Sequence, residues 1–568
     1  TENDIVKRVE SLAGFLNFRV NFEVLARETF RAIATLGDMY GSVDIGRGRK
    51  VLIEHTNVNP NKAIHIGHAR NSCLGDSLVR IMRFAGFKVY ALNYIDDTGS
   101  QIADVVVGFK YLGMPIEPPK DLKFDKYCGD HVYVKVNKLY EKNPELLKYR
   151  KEVLKRIEEG DNETARFARM VADKVMRDQL KTCWRLGIYF DLFNWESDIV
   201  RSGLWEEVFS LMRKKGVIKL ESRGEYAGCW IVSLRDIPRF AEETDKVLVR
   251  SDGTLTYIAK DLPYAMWKIG AVKGDFNYDH YIIQPNGKLL WTTTPGNGKA
   301  DHPEFKGGDL AISVIDVRQS RLQEIIKIVI SKVHGRDIAE KYVHYGYEVV
   351  ALSSKSAKML GLSRKVGERV VHMSGRRGLY FNVDDVLDIM KKKAREETLV
   401  RNPNADPEWL DEVGEAIAVS ALRYQLIRAD RNRLLVFDIE DSLKLDENTG
   451  PYLIYTYVRA RGILRNVRQD VNLEDVDPLI YKDEERSLIL AISKFPLIVR
   501  EAAIGLEPQL VANYTYKLAT LFNKFYEKYP VAKADEPFRT ARIALVAAVS
   551  QTLKNAFKLI GIVPLERM

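Results

Sequence analysis

His65 and His68 bracket an isoleucine and a glycine in NPNKAIHIGHARN, positions 59–71. Lys62 precedes them and Arg70 follows. Imidazoles one helical turn apart face a common ligand, and both are able to hydrogen-bond phosphate oxygens as charge builds there. Gly67 lets a ligand come close to the backbone. A helix starting at this point adds free N–H groups and the positive end of its dipole, which suits phosphate. Lys62 and Arg70 bring further positive charge. The bland alternative is a pair of solvent histidines capping a helix.

The elements around these residues fit the chemical reading. RKVLIEHTNVNP contains a short apolar run, Val51 to Ile53, that reads as a strand entering a polar turn. Ala69, Leu74, Leu78, Ile81, Met82 and Ala85 recur at helical spacing, and Gly86 stops that helix. KVYALNYIDD reads as the next strand. Strand, helix and strand at this spacing form a βαβ unit in a parallel sheet, with the ligand crevice at the carboxyl end of the first strand. Ser251-Asp252-Gly253 reads as a hairpin turn, and DLAISVIDV as another buried strand. Two stretches, about 108–190 and 270–310, read as insertions. The first is rich in Lys, Glu, Tyr and Pro, the second in Gly, Pro and Lys. From Asp384 onward helical periods dominate, so 384–568 reads as a separate all-α bundle.

At 568 residues the chain exceeds one ordinary core. Its 46% hydrophobic and 29% charged content is that of a globular protein. No run approaches the apolar length of a membrane span, and TENDIVKRVE has no signal-peptide core. Cys73, Cys128, Cys183 and Cys229 lie far apart without a CxxC pair, against a zinc ribbon and for a reducing, cytoplasmic setting. The net charge of +9 permits a polyanionic partner without demanding one.

The HIGH tetrapeptide resembles the first signature of class I aminoacyl-tRNA synthetases, and the surrounding text resembles the arginyl-tRNA synthetase family. The carrying motifs are IEHTNVNPNKAIHIGHARN with Leu74-Gly75-Asp76, NYIDDTGSQI, VRSDGTLTYIAKD, VIDVRQSRLQE, YVHYGYE, DENTGPYLIYTYVRAR and the C-terminal stretch ending at Met568. They occur in order from Phe15 to Met568. GFLNFRVN resembles the tail of that family's extra N-terminal domain. HMSGRRG stands where the second signature, KMSKS, belongs, with His372 for the first lysine, Gly375 for the second and Arg376 one place on.

The resemblance implies an α/β fold: a Rossmann-like parallel-sheet catalytic domain with insertions over 41–383, a remnant and linker over 1–40, and an all-α anticodon-binding domain over 384–568. It implies activation of L-arginine with ATP and Mg2+, then transfer to the 3′ adenosine of tRNA-Arg, with activation itself depending on tRNA. Lys62, His65, His68, His372 and Arg376 are the expected catalytic residues. His65, Gly67, His68, Met373 and Ser374 are expected to bind ATP. Glu54, Asn59, His65, Tyr257, Asp261 and Gln319 are expected to bind arginine, since a planar cation needs carboxylates that match its fork. His344 is a further pocket candidate, with a core histidine as the alternative. Tyr452, Tyr455, Arg459, Tyr514 and Met568 are expected to contact tRNA, with Tyr516, Arg461 and Arg465 nearby; tyrosines at helical spacing also suit a core. The loss of both signature lysines points to Lys62 as a charge for the leaving phosphates. A monomer without a protein metal cage and without a membrane partner is expected. A small HxGH nucleotidylyltransferase, another class I synthetase and a synthetase-like RNA-binding protein remain the rivals. The bundle disfavours the first, and the lack of zinc cysteines disfavours the Cys and Met enzymes.

Overall fold

The computed structural model describes residues 5–237, 245–361, 370–371, 381–467 and 472–568. His372, Met373, Ser374, Gly375 and Arg376 lie outside the described residues.

Val6–Leu12 (β1) and Phe15–Val20 (β2) form an antiparallel hairpin with mostly exposed side chains. Helix α1, Phe22–Leu36, buries Ala26, Phe30 and Ile33. It packs on the C-terminal helices: Phe30 meets Tyr481 at 6.0 Å between ring centroids, and Tyr40 Oη donates to the Ile492 carbonyl at 2.9 Å. Asp38 pairs with Lys554 and Lys558. From Phe22 on, the expected remnant and linker is therefore part of the helical domain's packing.

Lys50–Glu54 (β3), Ile66–Phe84 (α2) and Lys88–Ile95 (β4) make the predicted parallel βαβ unit. β3 is apolar at consecutive positions because both faces of the sheet are covered. Each of its buried Val, Leu and Ile side chains contributes about 1.5–3 kcal/mol. Ser100–Lys110 (α3), Val134–Lys142 (α4), Leu147–Glu159 (α5) and Glu163–Arg185 (α6) form the first excursion, which returns to the sheet as Leu192–Trp195 (β5).

After Leu204–Lys214 (α7) comes a small antiparallel sheet of Ile218–Leu220 (β6), Trp230–Val232 (β7) and Lys246–Val249 (β8). The turn after β8 is closed by the Gly253 N–H on the Arg250 carbonyl at 2.9 Å, with Gly253 at φ 86°. Tyr257–Lys268 (α8) follows at once.

Asn277–Ile283 (β9) and Leu289–Thr294 (β10) correct the second expected insertion. β10 pairs in parallel with β5 and antiparallel with β9, so this stretch belongs to the central sheet. Its Gly- and Pro-rich text flanks the strands rather than replacing them. Leu310–Asp316 (β11), Ser320–His334 (α9) and Tyr342–Tyr347 (β12) complete a seven-stranded sheet in the order β12-β11-β3-β4-β5-β10-β9, parallel except for β9. The winding direction reverses between β11 and β3, and there a crevice opens at the strands' carboxyl ends.

Val350–Ser353 (β13), Val370–Val371 (β14) and Leu435–Phe437 (β15) form a small sheet linking the two domains. Val383–Arg401 (α10), Pro407–Arg428 (α11), Gly450–Val467 (α12), Asp483–Ser493 (α13), Phe495–Gly505 (α14), Pro508–Lys528 (α15) and Phe538–Ile560 (α16) build the predicted helical domain. By length and composition α16 is apolar enough to cross a membrane, yet it is mostly buried among its neighbours. The domains are tied by α2. Asp76 accepts from Arg423 of α11 at 2.5 Å, and Arg423 donates onward to the Leu186 and Ile560 carbonyls.

Candidate active site

The first turn of α2 is capped by its own histidines. His65 is the N-cap, with φ −100° and ψ 167°. Its Nδ1 accepts the His68 backbone N–H at 3.3 Å, and His68 Nδ1 accepts the His65 N–H at 3.4 Å. The rings stack at 3.4 Å between centroids, 17° from parallel. A ring nitrogen that accepts an N–H carries no proton, so each neutral imidazole bears its proton on Nε2. Burial pushes both rings well below the ordinary histidine range, and the neighbouring Lys62 charge pushes the same way. The helix thus presents a pair of neutral Nε2–H donors. Ile64 and Ile66 are locked to the segment after the second signature, through Val383 N–H on Ile64 O at 2.8 Å and Ile66 N–H on Phe381 O at 3.1 Å.

Lys62 is not a solvated turn residue. It is 8% exposed, and burial pushes its ammonium down to about 8. The turn that carries it is clamped from the first excursion. Gln179 Nε2 of α6 donates to the carbonyls of Lys62 at 2.7 Å and Asn59 at 3.2 Å.

A cavity of about 760 Å3 opens at the carboxyl ends of β3, β4 and β11. Its lining brings together His68, Glu54, Asn59, Tyr257, Asp261 and Gln319, all expected from sequence; His65, Gly67 and Lys62 lie in the adjacent turn. Tyr257 and Asp261 stand four apart near the start of α8, as their spacing predicts. Burial raises the Asp261 carboxyl to about 7, reinforced by the charges of Glu196 and Glu54. The chain after β3 is held in an uncommon conformation, with Thr56 at φ 76° and Asn57 at φ 45°. Asn57 uses it to accept the Tyr94 N–H at 3.0 Å and to donate to Glu54 Oε1 at 2.8 Å.

Three sequence expectations change. Glu54 is not an open carboxylate. Lys268 Nζ bonds its Oε2, and Ser313 Oγ donates to the same oxygen at 2.9 Å. Arg70 adds no charge to the ligand site. It is fully buried and donates to the carbonyls of Glu348 at 2.6 Å and of Asp430 and Arg433, each at 3.0 Å. His344 does not line the cavity, and its Nε2 meets the Ile315 carbonyl at 2.9 Å. The sequence reading passed over Asp96, Tyr94 and Arg318, which do line it. Their motifs, NYIDDTGSQI and VIDVRQSRLQE, were the available signal.

In the helical domain Tyr455 is 40% exposed and lies under Arg459, whose guanidinium is 4.8 Å from that ring and 4.8 Å from the Tyr526 ring. Tyr452 is half-buried, with its hydroxyl accepting from Asn523 at 2.9 Å. Tyr514 is a correction: it is buried, stacks on Phe495 at 5.3 Å and donates to the Ala491 carbonyl at 3.0 Å, so its ring is unavailable to a base. Arg461 and Arg465 hold the C-terminal tail, through the Glu566 carboxylate at 2.9 Å and its carbonyl at 2.7 Å. Met568 lines a second cavity of about 460 Å3 beside α10 and α11.

The comparisons agree with this geometry. Residues 32–284 match the family model described as tRNA synthetases class I (R), catalytic domain, and residues 453–568 match the DALR anticodon binding domain. The arginine–tRNA ligase of Thermococcus kodakarensis is 38% identical, over 99% of this chain and 88% of that protein. The chain belongs to the arginine–tRNA ligase family. The Deinococcus radiodurans member is 32% identical over 98% of this chain and 88% of its own length. The solved Thermus thermophilus arginyl-tRNA synthetase superposes with a TM-score of 0.86 at 30% identity, covering 100% of this chain and 90% of that one. The Plasmodium falciparum arginyl-tRNA synthetase, at 20% identity and a TM-score of 0.72, shares the fold. Family membership places the capped helix and the acidic cavity within a class I catalytic domain, and Tyr455 and Arg459 within the anticodon-binding module.

Proposed function

We propose that this chain charges tRNA-Arg with arginine in two steps at the cavity. An arginine carboxylate oxygen attacks the α-phosphorus of ATP in line. The bond to the β-phosphate breaks, pyrophosphate leaves and arginyl-adenylate forms. The 3′-terminal ribose hydroxyl of the tRNA then attacks the carbonyl carbon, and AMP leaves. The chain's residues position reactants and stabilise charge, with no protein nucleophile.

The observation that carries this reading is the pairing of unmatched acid with neutral donors in one crevice. Asp261, accepting no side-chain hydrogen bond among the described residues, meets the guanidinium. The Nε2–H groups of His65 and His68 meet the phosphates, and being neutral they bind without themselves changing charge. Asn59 and Gln319 hold the α-amino and carboxylate ends, and Tyr257 covers the pocket mouth. Lys62 supplies positive charge for the leaving pyrophosphate. ATP enters as its Mg2+ complex, the ion shielding the phosphate charges. Tyr452, Tyr455, Arg459 and Met568 face the anticodon arm.

Four free cysteines support a reducing, cytoplasmic setting. ATP–pyrophosphate exchange with each amino acid, with and without tRNA, tests the reading. Exchange is expected with arginine alone, and weak until tRNA is added. Exchange driven by another amino acid, or none by arginine, would refute it.

A further inference from the structure

Four carboxyl groups line the cavity: Glu54, Asp96, Asp261 and Asp316. Two are already matched. Glu54 takes Lys268 and Ser313 on Oε2 and Asn57 on Oε1. Asp316 receives the Arg318 fork along both oxygens, at 2.9 and 2.8 Å. The nearby Lys260 is also engaged, on Glu196 at 2.8 Å.

Asp96 and Asp261 remain. Asp96 Oδ1 is buried without a hydrogen-bond partner, and burial together with the Glu196 charge pushes this carboxyl well above the ordinary range, against the Lys260 charge and the Gly99 N–H. Asp261 accepts no side-chain hydrogen bond among the described residues. Both lie close enough to Tyr94 for their charges to act on its hydroxyl. Asp96 stands just past the end of β4, and Asp261 stands on α8, so the two come from separate walls of the crevice. The Asp96 carboxylate also lies close against the backbone of Gly99. A Cβ on Gly99 would fall 2.6 and 2.7 Å from its two oxygens.

We propose that Asp96 is a specificity-determining residue for the amino-acid substrate, binding the guanidinium together with Asp261 while Lys268 keeps Glu54 engaged. This rests on the reading of the cavity as the arginine site. The physical basis is the shape of the cation. A guanidinium is a planar fork with donors on more than one edge, so it engages carboxylates on two walls at once. The ammonium of lysine is a compact point charge and satisfies one wall only. A neutral urea group, as in citrulline, leaves the buried acids without a counter-charge. Two carboxyl groups on separate walls, neither accepting a side-chain hydrogen bond among the described residues, therefore favour the fork over a point charge, where a single one discriminates less.

Asp96→Asn and Asp261→Asn test this in the full chain, with arginine KM, ATP KM and the preference for arginine over lysine measured by tRNA-dependent pyrophosphate exchange. Asp96→Asn is expected to raise arginine KM by about 30-fold or more, with ATP KM nearly unchanged and discrimination against lysine reduced. Wild-type arginine KM in Asp96→Asn beside a raised value in Asp261→Asn overturns the assignment of Asp96 and leaves the arginine site standing. Wild-type KM in both removes the arginine site itself. Gly99→Ala provides a second route, since it displaces the Asp96 carboxylate without altering charge. It should raise arginine KM in the same sense, and an unmoved value there also overturns the proposal.

Discussion

Asp76, on the helix that carries the two imidazoles, accepts from Arg423 of the helical domain at 2.5 Å, and both side chains are buried. Arg80 approaches the same carboxylate oxygen at 2.7 Å and donates to the Lys558 and Gly187 carbonyls. One buried acid therefore holds two arginines whose other donors grip α16 and the end of the first excursion. Removing it leaves Arg423 charged and unpaired in the interior. Asp76→Asn should cost about 3–5 kcal/mol of stability in urea denaturation. Arg423→Met, which removes a donor and leaves Arg80 on Asp76, should cost less. Equal losses, or none, would show that the buried charge is not what matters.

Lys62 should carry the chemical step. Lys62→Ala is expected to lower kcat for activation by about 100-fold or more, with a smaller change in arginine KM. A lysine introduced at 372 should partly rescue it if both positions serve the same phosphates. Wild-type single-turnover adenylate formation in Lys62→Ala would return the burden to Arg376.

The pH dependence should divide in two. The Asp261 carboxyl is raised to about 7 in the empty pocket, and arginine needs its ionised form. Arginine KM should thus rise as pH falls through 7 and level off above it. The Lys62 ammonium is lowered to about 8, so kcat should fall as pH rises through 8 when its proton is lost. Asp261→Asn should remove that carboxyl's share of the first limb and keep the second, while the Asp96 carboxyl, also held well above the ordinary range by burial, goes on titrating. His65 and His68, held neutral, should add no acid limb near 6.5.

The half-buried Arg459, stacked on the exposed Tyr455, should matter to tRNA alone. Arg459→Ala and Tyr455→Ala are expected to raise tRNA KM by about 10-fold each and to reduce the salt dependence of binding for the arginine variant. Arginine and ATP constants should stay as they are. Tyr514→Phe should lower the melting temperature and leave tRNA KM unchanged, because it removes a buried hydrogen bond to Ala491.

Local text gave the βαβ unit and the histidine pair, because an apolar run, a helical period and a stop glycine lie within one short stretch. It did not give what depends on distant partners. The Lys268 that matches Glu54 is 214 residues away, and nothing in either motif points to the other. Arg70 sits among ligand-facing residues by spacing, yet its guanidinium is drawn to carbonyls more than 250 residues on. Tyr514 and Tyr516 share a helix and a composition. Periodicity separates their faces without saying which face another helix covers. β10 was hidden by its flanking glycines and by a parallel partner, β5, that precedes the whole of the small sheet.

Gln179 bears on how far this enzyme can be shrunk. The strand order of the central sheet would survive deletion of the helices between β4 and β5, which makes them the obvious part to trim. Yet their single amide closes the two carbonyls that shape the loop ahead of the imidazoles. A minimized catalytic core must replace that clamp with another donor, or accept a loop that no longer presents its lysine. What reads along the chain as an interruption is, in three dimensions, the brace behind the turn that carries Lys62.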